Sequence, residues 1–250
     1  MHTIEIVLAT HTGLVRQSNQ DYIKGDTDLG IAILADGMGG HRGGEVASRH
    51  AVETAFSELA ESQREPQSDA VQSQMWIGQA LEVANRVLYD MSRSRRDLSG
   101  MGTTLIATIF RERQIFFGHV GDSRLYRLRH GRLQRMTRDH SLIQRLIDDG
   151  IFASPAEARE AGIGDNILTR SLGMHQSADI DLGVEALEPG DTFLICSDGL
   201  HGCVTDHEIA TILRDPGSNL DRQVIALIDK AIDRGGPDNV SVVLAKPRIS

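Results

Sequence analysis

Four strand-like runs crowd together between residues 103 and 137: TTLIATIF (103–110), QIFFGHVGD (114–122), RLYRLR (124–129) and RLQRMT (132–137). No helical stretch separates them, and HGR between the last two reads as a hairpin turn. Strands that succeed one another so directly pair antiparallel, because a parallel pair needs a long crossover.

The rest of the chain keeps to that plan. TIEIVLAT (3–10) alternates and is rich in β-branched residues, whereas LGIAILAD (29–36) is nearly continuous, as a strand covered on both faces must be. DLGVEAL (181–187), DTFLICSD (191–198) and VSVVLA (240–245) add further strands, the first two joined by the turn EPG. Helical patterns fall between these groups. One runs from Gly44 to Ala60, and one carries Ile77, Ala80, Leu81, Ala84, Val87, Leu88 and Met91. ESQREPQSD (61–69) between them reads as a loop. TDHE (205–208) is a capping box with Thr205 as cap, and a later helix bears Leu220, Val224, Leu227, Ile228 and Ala231. Helices in sequential pairs disfavour a parallel βαβ sheet. They predict an α+β fold, a four-layer α/β/β/α sandwich of two antiparallel sheets flanked by helices. We expect residues 1–250 to form a single catalytic domain, with the polar segment of about 138–180 as an inserted flap.

A formal net charge of −9 argues against general affinity for nucleic acid or an anionic membrane. No apolar run reaches the length of a membrane span, and the first residues lack the order of a signal peptide. Of the two cysteines, Cys196 lies in an apolar run where a buried thiol is expected. The expectation is a cytoplasmic monomer.

Aspartates recur at the ends of the strand runs. Asp36, Asp122 and Asp198 follow apolar stretches, and Asp238 precedes one. In a sandwich such ends converge on one edge. Carboxylates gathered there repel one another unless a cation neutralises them. Oxygen ligands alone select hard ions such as Mg²⁺ or Mn²⁺, and the chain has neither an HExxH nor a CxxC spacing.

The motifs THTGLVRQSNQD, ADGMGGH, GEVAS, MGTTL, GHVGDSRLYR, TRDHS, LTRSLG, CSDGL and GGPDNVSVVL stand in this order between residues 10 and 244. Together they resemble the metal-dependent serine/threonine protein phosphatases (the PPM or type 2C family), most nearly the compact bacterial members. The resemblance implies that Asp36 bridges two metal ions, Mn²⁺ or Mg²⁺, with the Gly37 carbonyl helping one of them. It implies that Asp198 and Asp238 complete the first ion's shell and that Asp21 orients bound water from behind. Asp122 matches a ligand of a third ion, shared with Asp198, and Arg16 matches the residue that grips the substrate phosphate. The implied reaction is hydrolysis of phosphoserine or phosphothreonine on proteins by a water activated between two metals, opposing a Ser/Thr kinase. Two alternatives stand beside it: a non-catalytic metal-binding regulator of the same fold, and a small-molecule phosphomonoesterase. Gln20 stands where many relatives carry Glu. Met38 stands where some carry a histidine general acid, and His140 is another proton donor in the chain.

Overall fold

A computed structural model describes residues 3–39, 43–63 and 70–248. The strand runs assemble into two antiparallel sheets. One has the order β1 (Thr3–His11), β11 (Val240–Arg248), β10 (Thr192–Cys196), β7 (Arg124–Arg129) and β8 (Arg132–Arg135). The other runs β2 (Asp21–Asp26), β3 (Ile31–Met38), β5 (Leu105–Arg111), β6 (Gln114–Val120) and β9 (Asp181–Ala186), and β4 (Gly102–Thr103) pairs with the end of β3. Helices α1 (Gly43–Ser62) and α2 (Ala70–Ser94) cover the second sheet. Helices α5 (Asp198–His201), α6 (Asp206–Leu213) and α7 (Leu220–Asp233) cover the first. The expected four-layer sandwich is what forms.

Side-chain alternation builds the layers. Along β3, Ala32 and Leu34 face the space between the sheets, where they meet Ile106, Phe117, Leu125, Phe193 and Val243. Ile33 and Ala35 face the other way, onto Leu59, Leu81 and Leu105. Both faces of β3 are therefore apolar, which accounts for its unbroken hydrophobic run. On the far side Leu194 and Leu244 pack against Val224 and Leu227 of α7. Truncating one such fully buried leucine to alanine typically costs about 2–5 kcal/mol.

Turn and cap chemistry matches the sequence in detail. His130 and Gly131 adopt positive φ (49° and 73°) between paired Arg129 and Arg132, a two-residue hairpin. Thr205 and Glu208 form the reciprocal capping box at the start of α6.

Four details differ from the sequence reading. DYIKGD (21–26) is strand β2, paired residue by residue with β3. Its one-sided apolar pattern is interrupted by Lys24 and Gly25, so periodicity alone passes over it. The run 103–110 is split, because β4 and β5 separate at Thr104. The EPG turn joins two strands of different sheets, since β9 pairs β6 while β10 pairs β7 and β11. Helix α1 extends to Ser62, and residues 64–69 of the expected loop lie outside the described residues, as do 40 and 41 of the ADGMGGH motif.

Between β8 and β9 the chain forms two short helices, α3 (Leu142–Asp148) and α4 (Pro155–Glu160), capped by Ser141 and Ser154. Isolated bridges Ser141↔Leu168 and Thr103↔Leu172 tie the segment back to the sandwich. No helix of the described residues is long and apolar enough to cross a membrane.

Candidate metal and phosphate site

Five aspartates converge at one end of the sandwich, each delivered by the end of a strand. Asp21 opens β2 and pairs directly with Asp36 near the end of β3. Asp198 follows β10 as the first residue of α5, and Asp238 precedes β11. Asp122 lies where the chain leaves β6 in one sheet for β7 in the other.

Hydroxyls hold the Asp36 backbone. Its N–H donates to Thr104 Oγ1 at 2.9 Å, while Thr103 Oγ1 donates to its carbonyl at 2.8 Å. Gly37 then admits close backbone packing, for a Cβ there would lie 2.0 Å from the Gly44 carbonyl oxygen and 2.7 Å from that of Gln20. Only glycine fits. Asp21 is buried and takes one hydrogen bond from Ser197 Oγ at 2.8 Å, leaving its Oδ1 without a partner.

Four of these carboxyls are pushed upward. Burial, reinforced by Asp21, Asp198, Asp122 and Asp238, raises the Asp36 carboxyl far above the usual carboxylate range. Burial likewise pushes Asp21 up to about 7, with Asp198 and Asp238 adding to the effect. Asp122 also rises to about 7, through burial and then the charges of Asp198 and Asp139. Asp198 is raised by burial and by Asp238, although a hydrogen bond shared with Asp36 works against this. Such a cluster holds protons unless cations take their place.

Arg16 is the cationic counterpart. Its Nη2 donates to Asp238 Oδ2 at 2.6 Å, and Asp238, Asp198 and Asp36 all favour its charge. Asn239 positions this loop, a role sequence reasoning missed although the residue stands beside Asp238 in GGPDNVS. Its Oδ1 accepts from the Gln20 amide at 2.7 Å, and its Nδ2 donates to the carbonyls of Thr12 at 2.8 Å and Ser18 at 3.0 Å. Gly13, at φ +80°, lets the same loop press on residue 238, where a Cβ would come 2.2 Å from the carbonyl oxygen.

The residues fit a divalent, hard cation. The donor set is carboxylate and carbonyl oxygen, the orphaned Asp21 Oδ1 is a buried acceptor, and the bare backbone at Gly37 leaves a carbonyl approachable. Asp36, Asp198 and Asp238 do not all bring an oxygen within 4.8 Å of one another, Asp238 being paired with Arg16. A tighter triad exists elsewhere: His119, His140 and Asp181 do lie within that distance. It does not suit a metal. The Gly121 N–H donates to His140 Nδ1 at 3.2 Å, so the neutral ring carries its proton on Nε2 and directs it to Asp181 at 3.3 Å. Arg170 already neutralises that carboxylate at 2.8 Å. His140 thus serves as a structural hydrogen-bonding residue. The His119 ring stacks on it at 4.6 Å.

Residues 10–226 match the family model described as Protein phosphatase 2C. The chain belongs to the protein phosphatase 2C family. The serine/threonine phosphatase stp of Listeria welshimeri is 35% identical over 240 residues, which cover 95% of this chain and 93% of that one. The solved serine/threonine phosphatase of S. agalactiae superposes with a TM-score of 0.88 at 38% identity, covering 97% of this chain and 99% of the other. The catalytic domain of serine threonine protein phosphatase PstP, solved in complex with two manganese ions, gives 0.87 at 32% identity with all of both chains covered.

Proposed function

We propose that this protein phosphatase 2C hydrolyses phosphoserine and phosphothreonine on proteins in a metal-dependent reaction centred on Asp36. The observation that carries the site assignment is the convergence of Asp36, Asp198, Asp238, Asp21 and Asp122, with the Arg16 guanidinium set against Asp238 at its mouth. In this reading Asp36, the Gly37 carbonyl, Asp198 and Asp238 hold two ions, Mn²⁺ or Mg²⁺. Asp21 orients from behind, and Asp122 with Asp198 offers a third position.

The ions, when bound, supply positive charge and an acidified water near neutral pH. The chain's own residues do the rest. Arg16, half exposed at the mouth of the site, meets two phosphate oxygens with its planar fork and aligns the ester. Its charge remains in place as negative charge shifts onto the phosphoryl oxygens, which lowers the barrier. Asn239 keeps the Arg16 loop against residue 238, so the phosphate and the carboxylates stay in register. Met38 has no proton to give, so the departing seryl or threonyl oxygen takes its proton from water or another residue. Cys196 is buried and burial raises its thiol pKa, which leaves no thiolate to form a covalent intermediate.

The same reading takes residues 1–250 as one catalytic unit, with about 138–180 as a flap. It takes the protein as a cytoplasmic monomer whose substrates are phosphorylated by a cognate Ser/Thr kinase. Two unpaired thiols, Cys196 and Cys203, suit a reducing compartment. Presence of Asp36, Asp198 and Asp238 together disfavours the non-catalytic regulator.

The test is turnover of a phosphothreonine peptide in chelator and after adding Mn²⁺ or Mg²⁺. Activity should vanish in chelator and return with either ion. Full activity in chelator would remove the metal-site assignment. Sugar or nucleotide phosphates outcompeting the peptide would transfer the reading to a small-molecule phosphomonoesterase.

A further inference from the structure

A cavity of about 370 Å³ opens between the C-terminal turn of α2 and the loop preceding β4. Arg93 and Arg96 line it, with the hydroxyl-bearing Tyr89, Ser92 and Ser99, and neither Asp nor Glu does. Among the described residues neither guanidinium is in an ion pair, whereas adjacent Arg95 is bound to Asp97 at 2.7 Å. Arg93 instead lies over the Tyr89 ring, 5.5 Å from its centre. In a chain of formal net charge −9, two unpaired arginines facing one cavity are a localised anion site.

Its location is fixed by the sheet. Gly100 forms one lip of the cavity, and Thr104, four residues on, donates its N–H to the Asp36 carbonyl at 2.9 Å. Four residues span at most about 14 Å. Gly102, between them, pairs with Met38 of the catalytic strand. The opposite wall, Gly173, is anchored by the buried Asn85, whose Oδ1 accepts its N–H at 2.9 Å. The Gly100 lip and the Thr104 amide are thus no more than about 14 Å apart, a distance that an extended peptide rising about 3.3 Å per residue spans in about four residues.

We propose that this cavity receives a second phosphate of the substrate, carried three or four residues from the ester being hydrolysed. Two guanidinium forks and nearby hydroxyls match a tetrahedral dianion, and their spacing from Asp36 selects multiply phosphorylated segments. The inference rests on the assignment of the hydrolytic site to the Asp36 cluster.

The test uses the metal-loaded enzyme and two phosphothreonine peptides. One bears a single phosphate. The other adds a non-hydrolysable phosphonate three or four residues away, so only one ester can be cleaved. The wild type should show about tenfold higher kcat/KM on the second peptide, mainly through KM. Arg93→Gln/Arg96→Gln should lose that preference while cleaving the single-phosphate peptide at the wild-type rate, which also shows that it folds. Equal kcat/KM on both peptides with the wild type, or a preference retained by the double variant, would overturn the proposal. Inorganic phosphate that alters turnover through the same arginines, without any peptide preference, would reassign the cavity to the free ion and overturn it too. Failure to cleave either peptide would instead strike the assignment of the hydrolytic site.

Discussion

Arg16 and Asp238, separated by 222 residues in the chain, meet at 2.6 Å in the site. In the proposed reading each has a second claim on it: Asp238 as a metal ligand, Arg16 as the phosphate grip. A cation arriving at the cluster competes with the guanidinium for the same carboxylate, so ion binding and release of Arg16 toward phosphate are coupled.

Arg16→Ala should therefore leave metal affinity unchanged or raise it by about two- to threefold, the exposed pair being weak. Phosphopeptide kcat/KM should fall by roughly 10²-fold as a charge-assisted contact is lost. Isothermal calorimetry beside steady-state kinetics separates the two. Collapse of metal binding in the variant would recast Arg16 as a structural residue.

Asp36→Asn has opposite effects on activity and metal-free stability. Turnover should drop about 10²-fold or more, because a neutral amide does not hold the ions. In chelator, removing one of the clustered carboxylates should raise the thermal midpoint, by about 2–4 °C for each kcal/mol of relieved repulsion in a protein of this size. Scanning calorimetry in chelator checks it, and a lowered midpoint would speak against repulsion as the governing term.

His119 links stability to acid. Burial, with the neighbouring His140, holds its pKa down at about 4, against 6.5 in an unfolded chain. Between those values the unfolded chain binds the extra proton, so stability is present above pH 6.5 and is lost as pH falls toward 4. His119→Asn should flatten part of the slope of unfolding free energy against pH in that window, measured by urea denaturation. An unaltered slope would mean that the ring titrates normally.

Two glycines should answer to alanine with opposite signs. Gly37→Ala drives a Cβ into backbone carbonyls at 2.0 and 2.7 Å and should abolish folding or activity. Gly78→Ala, in mid-α2, meets only Leu182 at 3.4 Å, an ordinary contact, and should stabilise by about 0.5–1 kcal/mol through helix propensity. Thermal midpoints of the purified variants decide both.

The sandwich was legible because its strands carry their own burial pattern, as β3 does with an unbroken run and α7 with its spaced leucines. The aspartates were legible through position, each at the end of such a run. Strand β2 was not, since Tyr22 and Ile23 are flanked by Asp21, Lys24 and Gly25 and its order comes from pairing with β3. Asn239 was hidden for a related reason: its three hydrogen bonds reach the backbone of residues 12–20, a proximity that only the closed sheet creates. Arg93 of α2 looks like any solvated charge until the loop before β4, which carries Arg96, folds over beside it.

Strand β11 sits between β1 and β10 in its sheet, and Asp238 lies two residues before its start. Asp21 draws its hydrogen bond from Ser197, and Thr10 Oγ1 meets Ser241 Oγ at 2.7 Å. During synthesis, then, the ribosome must pass residue 240 before the catalytic cluster can close. A nascent chain is chemically silent until then, and a fragment ending before β11 leaves β1 and β10 without the strand between them. Gain of activity should await the insertion of β11, making turnover itself a reporter of that step.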